Sequence, residues 1–552
     1  SNLWIVDVDG SNHRPLTTGH RNDRSPRWSP DGSKLIYVSN MEGSSEIYMR
    51  WMDSGQTGRL TNVRYSPGGI RWSPDGKMIA FSMFVKKAPS SPAKLPDKPA
   101  GAKWADPPKV IDKMIYRADG SGYRENGYSH IFTLPAEGGT PRQITSGDYH
   151  HGGSVEWTAD GSALIFSANR RDDWEHEGRD SEVYEISTKD GSLKQITKRK
   201  GPELYAGYSD KGNGKIAYIP LKGKARVITG NVGGTSIGRP YSSGSFTVSD
   251  NGTIAFTVTS PGRPADVAVV SAKGGKPKKI TSLNEDLFGH KELAEVEEIW
   301  YKSSHDGRDI HGWIGKPPGF DPEKKYPLIL EIHGGPFANY GDRFSAEIQA
   351  FAAAGYVVLY TNPRGSTSYG EEFGNLIHHA YPGDDFFDLM SGVDATIDKG
   401  YIDENNLFVT GGSGGGVLTA WLVGRSDRFT AAVSQKPVIN WYSFVLTADM
   451  YGIFTKYWFP GFPWEMPDHY HKRSPLSLVG NVSTPTMLLT GEADYRTPMS
   501  ESEQYYQALK LRKIDTKLVR IPGASHGIYR RPSQHIAKVA EILEWFEKYQ
   551  KK

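Results

Sequence analysis

An N-terminal β-propeller followed by a C-terminal α/β domain with a parallel sheet is the architecture that this 552-residue sequence predicts. Three observations carry it. A Trp-Ser-Pro-Asp-Gly unit followed by a strand recurs through the first half. From about Val296, short apolar runs alternate with helical stretches. One of those runs leads into a glycine-flanked serine and then into a helix. The length agrees, because single hydrophobic cores stop growing near about 250 to 300 residues.

The repeat array comes first. Trp28-Ser29-Pro30-Asp31-Gly32 precedes the strand Lys34-Leu35-Ile36-Tyr37-Val38, and Trp72-Ser73-Pro74-Asp75-Gly76 precedes Met78-Ile79-Ala80-Phe81, a spacing of 44 residues. Degenerate copies follow at Trp157-Thr158-Ala159-Asp160-Gly161, at Tyr208-Ser209-Asp210 and at Val248-Ser249-Asp250-Asn251-Gly252. Most are preceded by a strand ending in Leu-Thr or Ile-Thr, as at Ile144-Thr145 and Ile196-Thr197. The Asp-Gly pair supplies the conformation of a hairpin turn, and a period of roughly 40 to 45 residues is that of a propeller blade. Five reasonably complete units and parts of others are legible. The stretch 86–110, rich in Pro, Lys and Ala, reads as an inserted loop. The propeller is expected over residues 1–290 and the second domain over 291–552. Because an unclosed propeller exposes sheet edges, the expectation is either that N-terminal residues are missing or that the array is an unusual one.

Composition narrows the function. With 66 Lys+Arg against 63 Asp+Glu the net charge is +3, which selects neither nucleic acid nor an anionic membrane. The chain holds no cysteine, so disulfides, thiolate metal sites and a cysteine nucleophile are excluded. No apolar run of 18 residues occurs, and Ser1-Asn2-Leu3-Trp4 does not resemble a signal peptide. The compartment stays open between a periplasmic or secreted location and the cytoplasm. The histidine and carboxylate neighbours His150-His151, His378-His379 and Glu175-His176-Glu177 match no ligand spacing, so no metal or cofactor is expected.

The second half holds the chemistry. Leu328-Ile329-Leu330-Glu331-Ile332 and Tyr356-Val357-Val358-Leu359-Tyr360 read as strands, and 344–354 and 385–399 as helices. Leu407-Phe408-Val409-Thr410 leads through Gly411-Gly412-Ser413-Gly414-Gly415-Gly416 into a helical run. Strand, Gly-x-Ser-x-Gly, helix is the nucleophile elbow of the α/β-hydrolase fold, so the C-terminal half is expected to be an α/β-hydrolase domain with Ser413 as nucleophile. A serine hydroxyl needs a base, and the base an orienting carboxylate, downstream in the order Ser, acid, His. His526 follows the strand Leu518-Val519-Arg520-Ile521 and precedes a final helix over about 534–549, and is the expected base. Asp494 follows the strand Thr486-Met487-Leu488-Leu489-Thr490 and is the expected acid, with Glu492 as competitor. His469 and His471 fall in an irregular, Pro- and aromatic-rich segment and read as packing or surface histidines. The loop His333-Gly334-Gly335-Pro336 is of the type that supplies one oxyanion-hole N–H, here Gly335, the other coming from Gly414. His333 itself reads as structural.

Together these residues, with Asn362-Pro363-Arg364-Gly365-Ser366, resemble the prolyl oligopeptidase family of serine peptidases, and within it the acylaminoacyl-peptidase and dipeptidyl-peptidase-5-like branch, over nearly the whole chain. Many relatives carry Tyr where this chain has Gly414. The resemblance implies a Ser413–Asp494–His526 triad working through an acyl-enzyme, and oligopeptide substrates admitted past a propeller that filters out folded proteins. It implies Arg496 as a ligand of the substrate backbone, although a surface salt bridge is an equal reading of that residue. It also implies that Trp441, Tyr442, Phe444, Tyr457 and Trp458 line a pocket favouring an apolar or aromatic P1 residue. Family members often dimerise, so a homodimer is an expectation. Two other readings stand beside this one: an esterase-type hydrolase on the same fold, and a propeller binding protein with an inactive hydrolase domain.

Overall fold

The computed structural model describes all residues except 89–96, 107–108, 198–207, 219–223, 235–236 and 242, and it leaves the Tyr208 side chain aside. The inserted loop expected at 86–110 therefore lies partly outside the described residues. The chain divides into two compact units. The first comprises Ser1–Asp7, Ser11–Tyr116 and Tyr123–Tyr205, and the second Val8–Gly10, Arg117–Gly122 and Ala206–Lys552.

In the first unit a two-stranded pair, Trp4–Ile5 with Arg14–Pro15, precedes three antiparallel four-stranded sheets. The first of these contains Arg24–Trp28, Lys34–Ser39, Glu46–Trp51 and Thr57–Arg59. The repeat motif explains their turns. Gly32 takes a φ of 71°, Ser29 Oγ accepts from Lys34 N at 2.9 Å, and Asp31 Oδ1 accepts from Ser33 N at 3.1 Å. Gly76 and Gly161 repeat the conformation with φ of 70° and 71°. The motif tryptophans join neighbouring sheets: Trp72 Nε1 donates to Arg27 O at 3.1 Å and Trp157 Nε1 to Arg71 O at 3.4 Å. The threonine of each Leu-Thr or Ile-Thr pair accepts a backbone N–H from the strand beside it, Thr61 from Ile47 and Thr145 from Ile131, both at 2.9 Å.

The second unit opens with two more sheets of the same kind. One holds Tyr208–Asp210, Asn213–Tyr218 and Arg226–Thr229, and the other Phe246–Val248, Thr253–Ser260, Arg263–Ser271 and Lys278–Lys279. Among the described residues these five sheets coincide with the five repeat units, and the N-terminal half is a β-propeller.

An eight-stranded sheet follows: β1 (Glu295–Lys302), β2 (Asp309–Lys316), β3 (Tyr326–Ile332), β4 (Val357–Asn362), β5 (Ile402–Gly412), β6 (Ala431–Gln435), β7 (Thr486–Gly491) and β8 (Leu518–Ile521). Their order is β1-β2-β4-β3-β5-β6-β7-β8, antiparallel through β4 and parallel beyond. Both faces are covered, which is why the strands read as continuous apolar runs. Leu328, Leu330 and Val409 pack with helices Asp385–Ile397, Gly414–Arg425 and Met499–Leu511, whereas Ile329 and Phe408 pack with Ala346–Ala353 and Pro532–Tyr549. This is the α/β-hydrolase arrangement.

Local chemistry moved some boundaries. The helix expected from 344 begins at Ala346, because the Ser345 side chain caps it by accepting from Ile348 N. The last helix begins at Pro532, a residue suited to the first helical turn. The segment around His469 and His471 is not irregular as expected: it forms helices Trp441–Thr447, Tyr451–Tyr457 and Pro467–Arg473, and both histidines lie on the last. Aromatic residues have modest helix propensity; here they are held by ring packing such as Phe444 on Phe454 and Trp441 on Phe459.

Candidate active site

In-register pairing gathers the strand ends. Ile332 pairs with Gly411, Gly412 with Gln435, Gln435 with Leu489, and Leu489 with Val519. The loops after β3, β5, β6, β7 and β8 therefore leave the sheet at one edge, where open α/β sheets hold their ligands.

Ser413 sits between β5 and helix Gly414–Arg425 with φ 62° and ψ −122°, a backbone conformation that costs a non-glycine residue about 1 to 3 kcal/mol. Its N–H donates to Gln435 O at 3.0 Å and its carbonyl accepts from Val417 N at 3.0 Å, while its hydroxyl makes no capping bond to the helix. Glycines flank it because nothing larger fits. A Cβ on Gly411 would lie 2.6 Å from Gly415 O, and one on Gly416 2.5 Å from Gln435 O.

The loops after β7 and β8 bring Asp494 and His526 together, Nδ1 to Oδ2 at 2.8 Å. Asp494 is buried and well held. Its Oδ1 accepts from Thr497 N at 2.8 Å and Arg496 N at 3.0 Å, and its Oδ2 accepts from Thr497 Oγ1 at 3.0 Å. Burial opposes its charge, yet His526, the Thr497 N–H and Lys436 keep its pKa below the usual carboxylate range. Burial lowers the pKa of His526, and Lys436 adds to this, so the imidazole is neutral at neutral pH despite the raising influence of Asp494. Glu492, the competitor, pairs instead with exposed Arg520 at 3.1 Å.

Gly335 and Gly414 lie side by side, a Cβ on Gly414 falling 3.0 Å from Gly335 N and 3.0 Å from Tyr381 Oη. Tyr381 Oη donates to Gly414 O at 2.7 Å, so its ring fills the space next to a residue that has no side chain. At Gly334, the N–H donates to Tyr241 Oη at 2.5 Å. His333 is locked by Gly334 O (2.7 Å) and Ser366 Oγ (2.9 Å), and burial pushes its pKa down to about 4, which makes it a neutral structural bridge.

Beside the two glycines stands a ring cluster. Trp458 lies 6.1 Å from Tyr381 and 6.4 Å from Phe337, centroid to centroid. Trp441 and Phe444 are fully buried behind Trp458, Tyr457 is half-buried, and Tyr442 is exposed beside Tyr470. The arginine at 496 is engaged with Asp449, Nε to Oδ1 at 2.6 Å.

Residues outside any motif complete the surroundings. Lys436, at the end of β6, donates from Nζ to His526 O at 2.5 Å, and burial pushes its pKa down to about 7. Arg239 reaches the elbow at Gly412 and pairs with Glu331; Tyr340 also donates to Glu331, and Lys538 binds Glu347 at 2.5 Å. All five of these side chains are buried. Asp119 accepts from His526 N at 2.9 Å. Its Asp-Gly context copies the turn pair of the repeats, which hides it in the sequence.

Known proteins show the same organisation. Residues 342–552 match the prolyl oligopeptidase family, residues 1–90 the TolB beta propeller domain, and residues 109–224 the dipeptidyl peptidase IV N-terminal region. An uncharacterized peptidase of Bacillus subtilis, YuxL, is 31% identical over 100% of this chain and 93% of its own length. Dipeptidyl-peptidase 5 of Porphyromonas gingivalis is 23% identical over 100% of this chain and 90% of its own. An acylaminoacyl peptidase solved in complex with Z-Gly-Gly-Phe-chloromethyl ketone superposes with a TM-score of 0.80 at 21% identity, covering 100% of this chain and 91% of that one.

Proposed function

This chain belongs to the prolyl oligopeptidase family of serine peptidases, and from that premise we propose that it hydrolyses short peptides through Ser413, His526 and Asp494. Ser413 Oγ attacks the scissile carbonyl while His526 Nε2 takes its proton. Asp494 holds the proton on Nδ1 and stabilises the imidazolium. The tetrahedral oxyanion is received by the N–H groups of Gly335 and Gly414, the latter at a helix N-terminus where negative charge is favoured. His526 returns its proton to the leaving amine, and water then hydrolyses the acyl-enzyme by the same route. The observation that carries this reading is the 2.8 Å contact between Asp494 and His526, on loops that leave the same end of the sheet as the strained turn at Ser413.

The substrate reading is an exopeptidase that releases acylated amino acids or dipeptides from the N-terminus, an expectation that the names of its relatives support. An apolar or aromatic P1 residue is favoured, its side chain received by Trp458, Tyr381 and Phe337 with Trp441 and Phe444 as backing. Catalysis is assigned to residues 291–552 and the propeller to 1–290. The test is labelling by a fluorophosphonate that disappears in Ser413→Ala, followed by mass spectrometry of one peptide with its amino terminus free or acetylated. Retained labelling in Ser413→Ala overturns the nucleophile, and equal internal cleavage of both peptides overturns the exopeptidase reading.

A further inference from the structure

We propose that Asp119 is a positioning residue that sets the register between the loops carrying His526 and Asp494, and that it works with Lys436 to fix the His526 peptide. The proposal rests on the triad reading above. Asp119 belongs to Arg117–Gly122, a six-residue excursion that lies in the second unit although the chain on both sides belongs to the first. One carboxylate oxygen, Oδ1, accepts from two backbone donors: His526 N at 2.9 Å and Tyr495 N at 3.3 Å. The first donor is the base itself and the second is the neighbour of the acid. A single atom thus ties together two loops that leave different strands.

On its other side the His526 peptide is held by Lys436, whose Nζ donates to the carbonyl at 2.5 Å. An anion on the N–H makes a charge-assisted contact, stronger than a neutral one, and Lys436 makes a second on the carbonyl in its protonated form. They fix the main chain from which the imidazole projects, whereas Asp494 fixes the ring. The excursion has its own anchors, independent of the Asp119 side chain. Asp119 N donates to Asp449 Oδ2 at 2.7 Å, Arg117 donates to Thr447 O and lies 5.1 Å from the Tyr495 ring centre, and the Arg530 guanidinium covers Gly120. Removing the carboxylate therefore leaves the segment docked and deletes only the tie.

The charges facing the imidazole are Asp494, Lys436 and Asp119, with Arg530 across Gly527. The carboxylate of Asp119 favours the imidazolium. Position and charge can accordingly be separated. Asp119→Ala removes both, whereas Asp119→Asn keeps an oxygen that accepts the same two N–H groups and removes the charge alone.

The experiment measures kcat, KM and the pH profile of kcat/KM on a chromogenic peptide substrate for the full chain and both variants. Asp119→Ala is expected to lower kcat by about 10- to 100-fold, the scale of a misplaced catalytic group, with KM changed by less than about threefold. Asp119→Asn is expected to recover kcat to within about threefold of the parent. In both variants the acid limb of the profile moves to lower pH. Unchanged kcat in Asp119→Ala, or equal losses in the two variants, overturns the proposal. Should Asp119→Ala not fold, Asp119→Asn decides alone: a loss above about tenfold or an unmoved acid limb overturns it. Turnover that persists in Ser413→Ala overturns the triad reading and this proposal with it, whereas inactive Ser413→Ala beside fully active Asp119→Ala overturns the role of Asp119 alone.

Discussion

Asp494→Asn is the substitution whose outcome the geometry specifies most closely. Oδ1 of Asp494 accepts two backbone N–H groups, from Arg496 and Thr497, while Oδ2 faces His526 Nδ1. In the asparagine variant the amide oxygen must stay at the Oδ1 position, because an NH2 there would oppose two fixed donors, at about 1 to 3 kcal/mol for each unsatisfied group. The NH2 then points at Nδ1, which can only accept, and the single proton of the neutral imidazole moves to Nε2. That nitrogen is the one that takes the proton of Ser413 in the proposed triad. A base presented in the wrong tautomer costs about 10⁴-fold in kcat, or about 5 kcal/mol of barrier. Both backbone donors keep an acceptor, so the thermal midpoint should move little. Steady-state kinetics on a peptide substrate, together with the rate of fluorophosphonate labelling, measures the effect, with Glu492→Gln as the companion variant expected to keep its activity. A loss below about tenfold in Asp494→Asn, or equal losses in the two variants, would refute the assignment of the acid.

Three further outcomes are expected. Because the proposed mechanism needs neutral His526 and burial holds its pKa down, kcat/KM should fall only as the pH drops through a value below the ordinary histidine pKa; Lys436→Met removes a cation that lowers this pKa, so its acid limb should move to higher pH. Arg239→Met leaves buried Glu331 and Glu347 with Lys538 as the remaining cation of the cluster and should cost about 3 to 5 kcal/mol in denaturant unfolding. Gly414→Ala places a methyl group 3.0 Å from both Gly335 N and Tyr381 Oη, and should lower kcat by about tenfold or more; adding Tyr381→Phe, which removes one of the two obstructions, should restore part of it.

The sequence made the blades and the strand ends legible for definable reasons. The repeat unit combines a turn that Asp-Gly or Asn-Gly chemistry closes with, in three copies, a tryptophan, and two of these reach the neighbouring sheet, so the unit leaves a fixed spacing. The elbow leaves no room for a side chain at Gly411, Gly415 and Gly416, so it too is visible. Asp494 and His526 are read from their positions after strands, a local property. Asp119, Lys436 and Tyr381 act through contacts that span from 33 to 407 residues of chain, and no local pattern encodes a partner at such distance. Trp441 and Phe444 belong to an aromatic segment that composition alone could not divide into wall and backing; the division follows from which rings the three short helices turn inward.

The brace at Gly412 bears on how such a chain can be cut and recombined. Arg239 precedes β1 by more than 50 residues, yet its guanidinium is buried between the elbow and two carboxylates of the hydrolase half. A fragment that began at residue 291 would carry Glu331 and Glu347 into its core without that arginine. Swapping the catalytic half onto a foreign propeller is therefore expected to succeed only when the crossover lies upstream of Arg239. Exchange at the point where the sequence texture changes should yield a protein that has every residue of the proposed triad and lacks the cation on which its elbow rests.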